Sequence, residues 1–233
     1  MSDTPIHTLD HIDMLRGLPE ELRSEVARLC RWKRYAPQEQ IIDRESDSRD
    51  VYFVVQGSVR IVIYSASGRE LTLDDLLTGA FFGELAAIDG LPRSASVMAV
   101  QDTVIASLPA DQFLRLLHDY PEMATRVLRR LAAVVRQATE RILDLSTLGA
   151  NNRVHAELLR QARAAETDES GAAIIKPIPV HGEMASRVST TRETVARVMN
   201  DLARSGILRR DKDALLVLDV DRLETMVESV RGE

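Results

Sequence analysis

The apolar residues of this chain change their spacing at Pro109, and that change limits the folds open to it. Between residues 51 and 108, short apolar runs such as VYFVV and VRIVIY are separated by turn residues, a pattern typical of a small antiparallel sandwich or roll. The alternation of Val59, Ile61 and Ile63 predicts half-buried strands. Beyond Pro109 the spacing becomes helical. We therefore predict an α+β fold that begins with an antiparallel, jelly-roll-like β-roll.

A seam of apolar residues then follows a long helical stretch that ends near Leu148. Its members recur at spacings of 4, 3, 4, 3, 4 and 3, and they are Ala124, Leu128, Leu131, Val135, Ala138, Ile142 and Leu145. Such spacing is typical of a parallel coiled coil. We predict that residues 121–148 form a dimerisation helix, so that the protein is a homodimer through the stretch from Ala124 to Leu145. The alternative is an amphipathic helix that packs on its own domain.

Residues 180–202 fit a helix, a short polar turn and a second helix. Thr190 and Glu193 have the spacing of a capping box, which would begin the second helix. The following segment, SGILRRDKDALLVL, is typical of a β-hairpin wing. A helix that ends near glycine and asparagine predicts a hinge at Gly149–Asn152. The sequence thus predicts a winged helix-turn-helix over residues 149–233.

One face of the second helix carries charged residues suited to base edges. Arginine can donate two hydrogen bonds to guanine O6 and N7, and glutamate can accept one from cytosine N4. The candidates for DNA contact are Thr191, Arg192, Glu193 and Arg197. From His181 to Lys212 there are seven basic and four acidic residues, although the whole chain has a net charge of −6. The alternative is an ordinary solvated helix face.

The stretch FFGELAAIDGLPRSASV contains the residues that an anionic nucleotide requires. A guanidinium at Arg93 can bind a ring phosphate, and Ser94 and backbone N–H groups can add donors. The carboxylate of Glu84, after Gly83, can accept a ribose hydroxyl. Alternatively, Glu84 and Arg93 form an ordinary salt bridge.

These two motifs together resemble the cyclic-AMP receptor protein family, also called the CRP/FNR regulators, over residues 10–220. The resemblance lies in a phosphate-binding cassette and a recognition helix, which match at Gly83, Glu84, Leu85, Arg93, Ser94 and Ala95, and at Arg192, Glu193, Thr194, Val195 and Arg197. It implies a cyclic-nucleotide-binding β-roll domain at 1–120, the dimerisation helix at 121–148 and a winged helix-turn-helix DNA-binding domain at 149–233.

The resemblance also implies a function and its ligands. Glu84 would hold the ribose, and Arg93 and Ser94 the cyclic phosphate, of an allosteric effector, cAMP or cGMP. The protein would be a bacterial cytoplasmic transcription regulator that binds palindromic DNA with TGTGA-like half-sites. The acidic loop at 166–171 would be a possible contact for RNA polymerase, with a plain surface loop as the alternative.

Two positions depart from the family pattern. Family members that respond to cAMP usually place a threonine and a serine on the dimer helix against adenine, and the matching residues here are Ala138 and Thr139. One hydroxyl therefore remains, which leaves cGMP open as the effector. Ser189 occupies a turn position where many members have glycine.

Other functions are less consistent with the residues. A single cysteine, Cys30, provides no disulfide and too few ligands for an iron–sulfur cluster, and it fits a reducing cytoplasm. The chain has no Walker loop and no HExxH metal motif, so we expect neither an enzyme nor a metal site. The N-terminal residues Met1–Asp13 carry three aspartates and no apolar run, so we expect a protein that is neither exported nor in a membrane.

Two regulators of related architecture remain as alternatives. One is a regulator with the same fold that responds to haem ligands, to another small molecule or to nothing. Haem would need an axial ligand, and no histidine lies on the predicted β-roll strands; the histidines are His7, His11, His118, His155 and His181. The other is a cyclic-nucleotide-binding regulatory subunit that acts on a protein partner, which the helix-turn-helix disfavours.

Overall fold

The computed structural model describes residues 8–231. The chain divides into two compact units, the first extending to Ala133 and the second beginning at Val134. His7 and most of the N-terminal stretch Met1–Asp13 lie outside the described residues.

The first unit contains two antiparallel sheets, as the short apolar runs predict. In chain order its strands are β1 (Arg31–Tyr35), β2 (Gln40–Ile42), β3 (Val51–Gln56), β4 (Ser58–Tyr64), β5 (Glu70–Leu77), β6 (Phe81–Phe82), β7 (Ser96–Ala99) and β8 (Thr103–Leu108). One sheet has the order β1-β8-β3-β6 and the other the order β2-β7-β4-β5. The fold class is confirmed for this half of the chain.

A β-bulge interrupts the pairing of β4 with β5. Ile61 pairs with Asp74 and Val62 with Thr72, so the extra residue is Leu73 of β5. β4 itself is unbroken, because its pairing with β7 runs without a shift from Val59 to Val62. Ile61 and Ile63 are half-buried, as the alternation predicts, and Val59 and Val62 are buried.

Helices precede, interrupt and follow these strands along the chain. They are α1 (Glu20–Leu29), α2 (Glu84–Asp89), α3 (Ala110–Asp119) and α4 (Pro121–Thr147), and a 3-10 turn covers Asp13–Leu15. Pro121 opens α4 because proline has no N–H to lose at a first helical position and cannot continue α3. A core that includes Phe53, Phe113 and Met123, each fully buried, holds the first unit together.

The second unit is a compact helical and β module with its own core. Its elements are α5 (Ala150–Ala164), β9 (Glu166–Thr167), β10 (Ala173–Ile175), α6 (His181–Arg187), α7 (Arg192–Arg204), β11 (Leu208–Arg210), β12 (Leu215–Val217) and α8 (Val220–Arg231). β11 and β12 form the predicted antiparallel hairpin, and the sheet order is β11-β12-β10-β9. The core includes Leu158, Val195 and Leu202.

Two boundaries in this unit differ from the sequence prediction. Glu166 and Thr167 are strand β9 rather than loop, because they pair with β10; the turn after them is held by the Asp168 carboxylate, which accepts from the backbone N–H of Ser170 and Ala172. The linker between α4 and α5 is Leu148–Gly149 alone, since α5 already begins at Ala150. Ala150–Asn152 are thus helical and not part of a hinge.

Candidate nucleotide pocket and nucleic-acid interface

The candidate pocket is built around the start of α2, directly after β6. Gly83 has a φ of 83°, in the left-handed region. A Cβ there would lie 2.7 Å from Nη1 of Arg93 and 3.1 Å from the carbonyl oxygen of Asp50. Only glycine fits, because any side chain would collide with these atoms and strain the backbone. The glycine of the cassette therefore allows the Arg93 guanidinium to lie close to the backbone of residue 83.

Arg93 is buried at this point and is held by three hydrogen bonds. Only 3% of its surface is exposed. Its Nε donates to Oγ of Ser48 at 3.0 Å, its Nη2 to the carbonyl of Asp50 at 2.7 Å and its Nη1 to the carbonyl of Gly83 at 2.8 Å. The guanidinium also lies 5.3 Å from the ring centre of Tyr52. A buried, charged and fixed guanidinium is suited to an anionic ligand.

Glu84 is the first residue of α2, and 8% of it is exposed. Burial raises the pKa of its carboxyl above the usual value, although its own backbone N–H and the charges of Arg130 and Arg93 act in the opposite direction. No ion pair between Glu84 and Arg93 is found within residues 8–231, because the arginine donates to Ser48 and to backbone carbonyls. Burial therefore affects the pKa of this carboxyl more than the charge of Arg93 does.

The other cassette residues are more accessible. Leu85 is 41% exposed on α2, and Ser94 is exposed directly after Arg93. Ala138 and Thr139 lie on α4 within the second unit, and both are exposed. The hydroxyl of Thr139 donates to the carbonyl of Val135 at 2.9 Å.

Five of the seven seam members on α4 are exposed, and they are Leu128, Val135, Ala138, Ile142 and Leu145. Leu128, Val135 and Ile142 follow one another at intervals of seven residues and are 64%, 63% and 64% exposed. Large apolar side chains in a regular row on a helix are typical of a surface that another helix covers.

The candidate nucleic-acid interface is α7 and the turn before it. Val195, Val198, Met199 and Leu202 are buried, so the opposite face of α7 is turned outward. The N-cap is Thr191, whose hydroxyl accepts from the backbone N–H of Thr194 at 3.2 Å. The prediction of a Thr190–Glu193 capping box is wrong by one residue: α7 begins at Arg192, so Thr191 occupies the cap position.

The proposed DNA-contacting side chains are exposed. Arg192 and Glu193 lie in the first turn of α7 and Arg197 one turn later. The backbone N–H of Glu193 itself and the hydroxyl of Thr191 lower the pKa of the Glu193 carboxyl. Nη2 of Arg197 donates to Oδ1 of Asn151 at 3.2 Å.

Sequence reasoning missed the partners of Arg93. Ser48 and Asp50 are 45 and 43 residues earlier in the chain. Asp50 contributes a backbone carbonyl, which every residue type provides, so no residue pattern could indicate its role. Ser48 lies in the polar segment RESDSRD, which has no periodicity to distinguish it.

Within residues 8–231, no group of His, Cys, Asp and Glu side chains could hold a metal ion. Across the same residues no helix combines the length and apolar character that a membrane span requires. His118, His155 and His181 lie on α3, α5 and α6.

Comparison with known proteins agrees with both halves of this architecture. The cyclic nucleotide-binding domain matches residues 32–120, and the Crp-like helix-turn-helix domain matches residues 152–226. The cyclic AMP receptor protein of Thermus thermophilus is 33% identical over 213 residues, 91% of this chain and 94% of that protein. The CRP-like cAMP-activated global transcriptional regulator of Mycobacterium tuberculosis is 30% identical over 173 residues, 74% of this chain and 77% of that protein.

Solved structures give the same result for the fold. A mutant of CooA from Carboxydothermus hydrogenoformans has a TM-score of 0.80 at 21% identity over 97% of each chain. A CRP-family transcriptional regulator of Thermus thermophilus has a TM-score of 0.65 at 30% identity, covering 85% of this chain and 97% of that one.

A β-roll that matches the cyclic nucleotide-binding domain and a winged helix-turn-helix define a DNA-binding transcription regulator. The chain belongs to the CRP family of cyclic-nucleotide-binding regulators. The family resemblance stated from the cassette and the recognition helix is confirmed.

Proposed function

We propose that this protein is a homodimeric regulator whose affinity for a palindromic operator is controlled by cyclic AMP. The observation that carries the proposal is the buried guanidinium of Arg93 fixed against the start of α2. The relatives from Thermus thermophilus and Mycobacterium tuberculosis are both named for cAMP. We propose three domains, with boundaries at 1–120, 121–148 and 149–233.

The ligand-binding part of the proposal rests on complementary charge. A cyclic nucleotide has one phosphate with a single negative charge, which Arg93 can bind together with the exposed hydroxyl of Ser94. The buried carboxylate of Glu84 would accept the ribose hydroxyl, with Gly83 and Leu85 forming the wall beside it. Phosphate oxygens would then replace some of the carbonyl acceptors that Arg93 has in the unliganded protein.

The base would lie against Ala138 and Thr139. The Thr139 hydroxyl proton is donated to the carbonyl of Val135, so the oxygen is left to accept a hydrogen bond. Adenine has an amino donor where guanine has a carbonyl acceptor. This difference favours cAMP over cGMP.

The dimer part of the proposal rests on the exposed row on α4. Burying Leu128, Val135 and Ile142 against the same residues of a second copy would form a parallel coiled coil. The two recognition helices of such a dimer must enter major grooves about 34 Å apart. A ligand that favours the dimer geometry with this spacing raises DNA affinity by its differential affinity for the two states.

The DNA part of the proposal places α7 in the major groove. Arg192, Glu193 and Arg197 would contact base edges of a TGTGA-like half-site, and Thr191 would contact the DNA at the helix start. We further propose that the protein works in the cytoplasm as a regulator without catalytic activity. Contact between residues 166–171 and RNA polymerase would make it an activator.

Side-by-side calorimetric titration of the full-length protein with cAMP and cGMP tests the effector. The proposal predicts saturable binding of one cAMP per chain and weaker binding of cGMP. If neither nucleotide produced binding heat at millimolar concentration, the result would favour the alternative, which is a regulator of the same fold with another effector or none. An absorbance spectrum of the purified protein tests haem.

A further inference from the structure

Two arginines from different helices donate to adjacent carbonyls at the turn of the helix-turn-helix. Nη2 of Arg141, on α4, donates to the carbonyl of Arg187 at 2.7 Å. Nε and Nη2 of Arg153, on α5, donate to the carbonyls of Val188 and Ser189 at 2.8 and 3.1 Å. All five residues belong to the second unit. We call the carbonyls of residues 187–189 the turn carbonyls.

Arg153 also binds the linker between α4 and α5. Its Nη1 donates to the carbonyl of Leu148 at 2.8 Å. One guanidinium therefore connects the linker to the turn that precedes the recognition helix. Because Arg141 reaches the same turn from the other side of the linker, a rotation of α4 against α5 about Leu148–Gly149 cannot preserve both sets of hydrogen bonds.

A second interaction crosses the linker beside them. Asp144 on α4, only 6% exposed, accepts from Nη2 of Arg160 on α5 at 3.1 Å. The same guanidinium pairs with the buried Glu157. The C-terminal part of α4 is thus tied to α5 as well as to the turn.

The turn itself needs support. Ser189 has a φ of 53°, a left-handed conformation that is strained for any residue with a side chain. Its carbonyl, and that of Val188, are fixed by Arg153. Since α7 begins three residues later at Arg192, the direction of α7 depends on how this turn is held.

We propose that Arg141 and Arg153 are positioning residues for DNA recognition: they fix the turn carbonyls, and with them the recognition helix, to the end of the long helix. This inference rests on the proposed function, because it takes α4 as the dimerisation helix and α7 as the DNA-contacting helix. Neither arginine needs to touch DNA or nucleotide. Arg141 is the more informative of the two, because it lies on α4 and connects that helix directly to the turn.

The test uses full-length protein with Arg141→Gln, the conservative Arg141→Lys, and Arg136→Gln as the matched control, since Arg136 is exposed on the same helix. The first measurement is amide hydrogen exchange of residues 188–191, which needs neither nucleotide nor DNA. We expect Arg141→Gln to exchange about two- to tenfold faster than wild type, as for loss of one net hydrogen bond. Arg141→Lys should restore part of the protection, and Arg136→Gln should match wild type.

The second measurement is affinity for a labelled duplex with a TGTGA-like palindrome, with cAMP titrated separately. We expect DNA affinity of Arg141→Gln to fall by about two- to tenfold while cAMP affinity is unchanged. Unchanged hydrogen exchange, or faster exchange with unchanged DNA affinity, overturns the inference. If the wild-type protein did not bind cAMP, the proposed effector would be contradicted. The hydrogen-exchange result would still decide whether Arg141 holds the turn.

Arg153→Gln provides a second variant at the other side of the linker. It removes donors to three carbonyls, so its thermal unfolding is measured first. A folded Arg153→Gln protein should lose protection at residues 188–191 more than Arg141→Gln does. Equal protection to wild type would overturn the role assigned to Arg153.

Discussion

Nη1 of Arg93 donates a 2.8 Å hydrogen bond to the carbonyl oxygen of Gly83, the N-cap of the helix that begins at Glu84. The cation proposed to bind phosphate and the carboxylate proposed to bind ribose are therefore linked through one backbone group. Movement of Arg93 toward an anion would free that carbonyl. In the proposed function, the two ends of the ligand would therefore contact connected parts of the protein.

Replacing Arg93 by alanine should abolish nucleotide binding. Each charge-assisted hydrogen bond to the phosphate is worth about 1.5–3 kcal/mol, so affinity should fall by about tenfold or more for each one lost. Calorimetric titration with cAMP measures this. Arg34→Ala, at an exposed position on β1, is the control and should bind normally. We expect the Arg93→Ala protein to remain folded, and normal cAMP binding by it would place the ligand elsewhere.

Replacing Glu84 by glutamine should stabilise the unliganded protein at neutral pH. Burial raises the pKa of this carboxyl above its usual value of 4.5, so the folded state disfavours the ionised form. The contribution of Glu84 to stability is present below pH 4.5 and is lost as pH rises through the raised pKa. Glutamine removes this loss, so the variant's Tm should exceed that of wild type at pH 7 and approach it toward pH 4.5.

The same variant should bind cAMP less tightly. A neutral amide accepts a weaker hydrogen bond from the ribose hydroxyl, for which we expect a loss of about 1 kcal/mol. Glu25→Gln, at an exposed position on α1, controls for the change of charge. If Glu84→Gln and wild type had the same Tm at every pH from 4.5 to 7, burial would not disfavour the ionised form of this carboxyl.

Replacing Val135 by glutamate should convert the dimer to monomer. Val135 is 63% exposed in the single chain, between Leu128 and Ile142, and a coiled coil would bury its charged replacement against an identical charge. Light scattering after gel filtration measures the mass. Arg136→Glu, one residue outside the seam, should stay dimeric. A dimeric Val135→Glu protein would refute the coiled-coil interface.

Replacing Arg197 by alanine should relax base discrimination. The loss is expected at about 1–3 kcal/mol for the contacted base pair, with little change for other positions. Binding to a set of operators with single base changes measures it. Arg204→Ala, exposed in the last turn of α7, should weaken binding to every operator alike or not at all. Unaltered discrimination by Arg197→Ala would mean that this face of α7 does not contact bases.

How far the sequence could predict these features depends on how local they are. The two helices around Ser189, the wing and the length of α4 follow from apolar spacing and capping residues, and they were predicted within a few residues. The bulge at Leu73 of β5 was not, because register depends on the neighbouring strand.

The hydrogen-bond partners of the key arginines were also beyond sequence reasoning. The acceptors of Arg141 and Arg153 at the turn are backbone carbonyls 35–46 residues away. Such acceptors are present at every residue, so their use is decided by the fold and not by residue type. Arg93 could be proposed from its cassette, but its fixed and buried state could not.

In the proposed function, nucleotide bound at Arg93 changes the affinity of the dimer for DNA. The decisive experiment is fluorescence anisotropy of a labelled palindrome, titrated with full-length protein in the presence and absence of cAMP. We expect tighter binding with cAMP and no such gain in Arg93→Ala. Equal affinity with and without cAMP in the wild type, at saturating nucleotide, would contradict it.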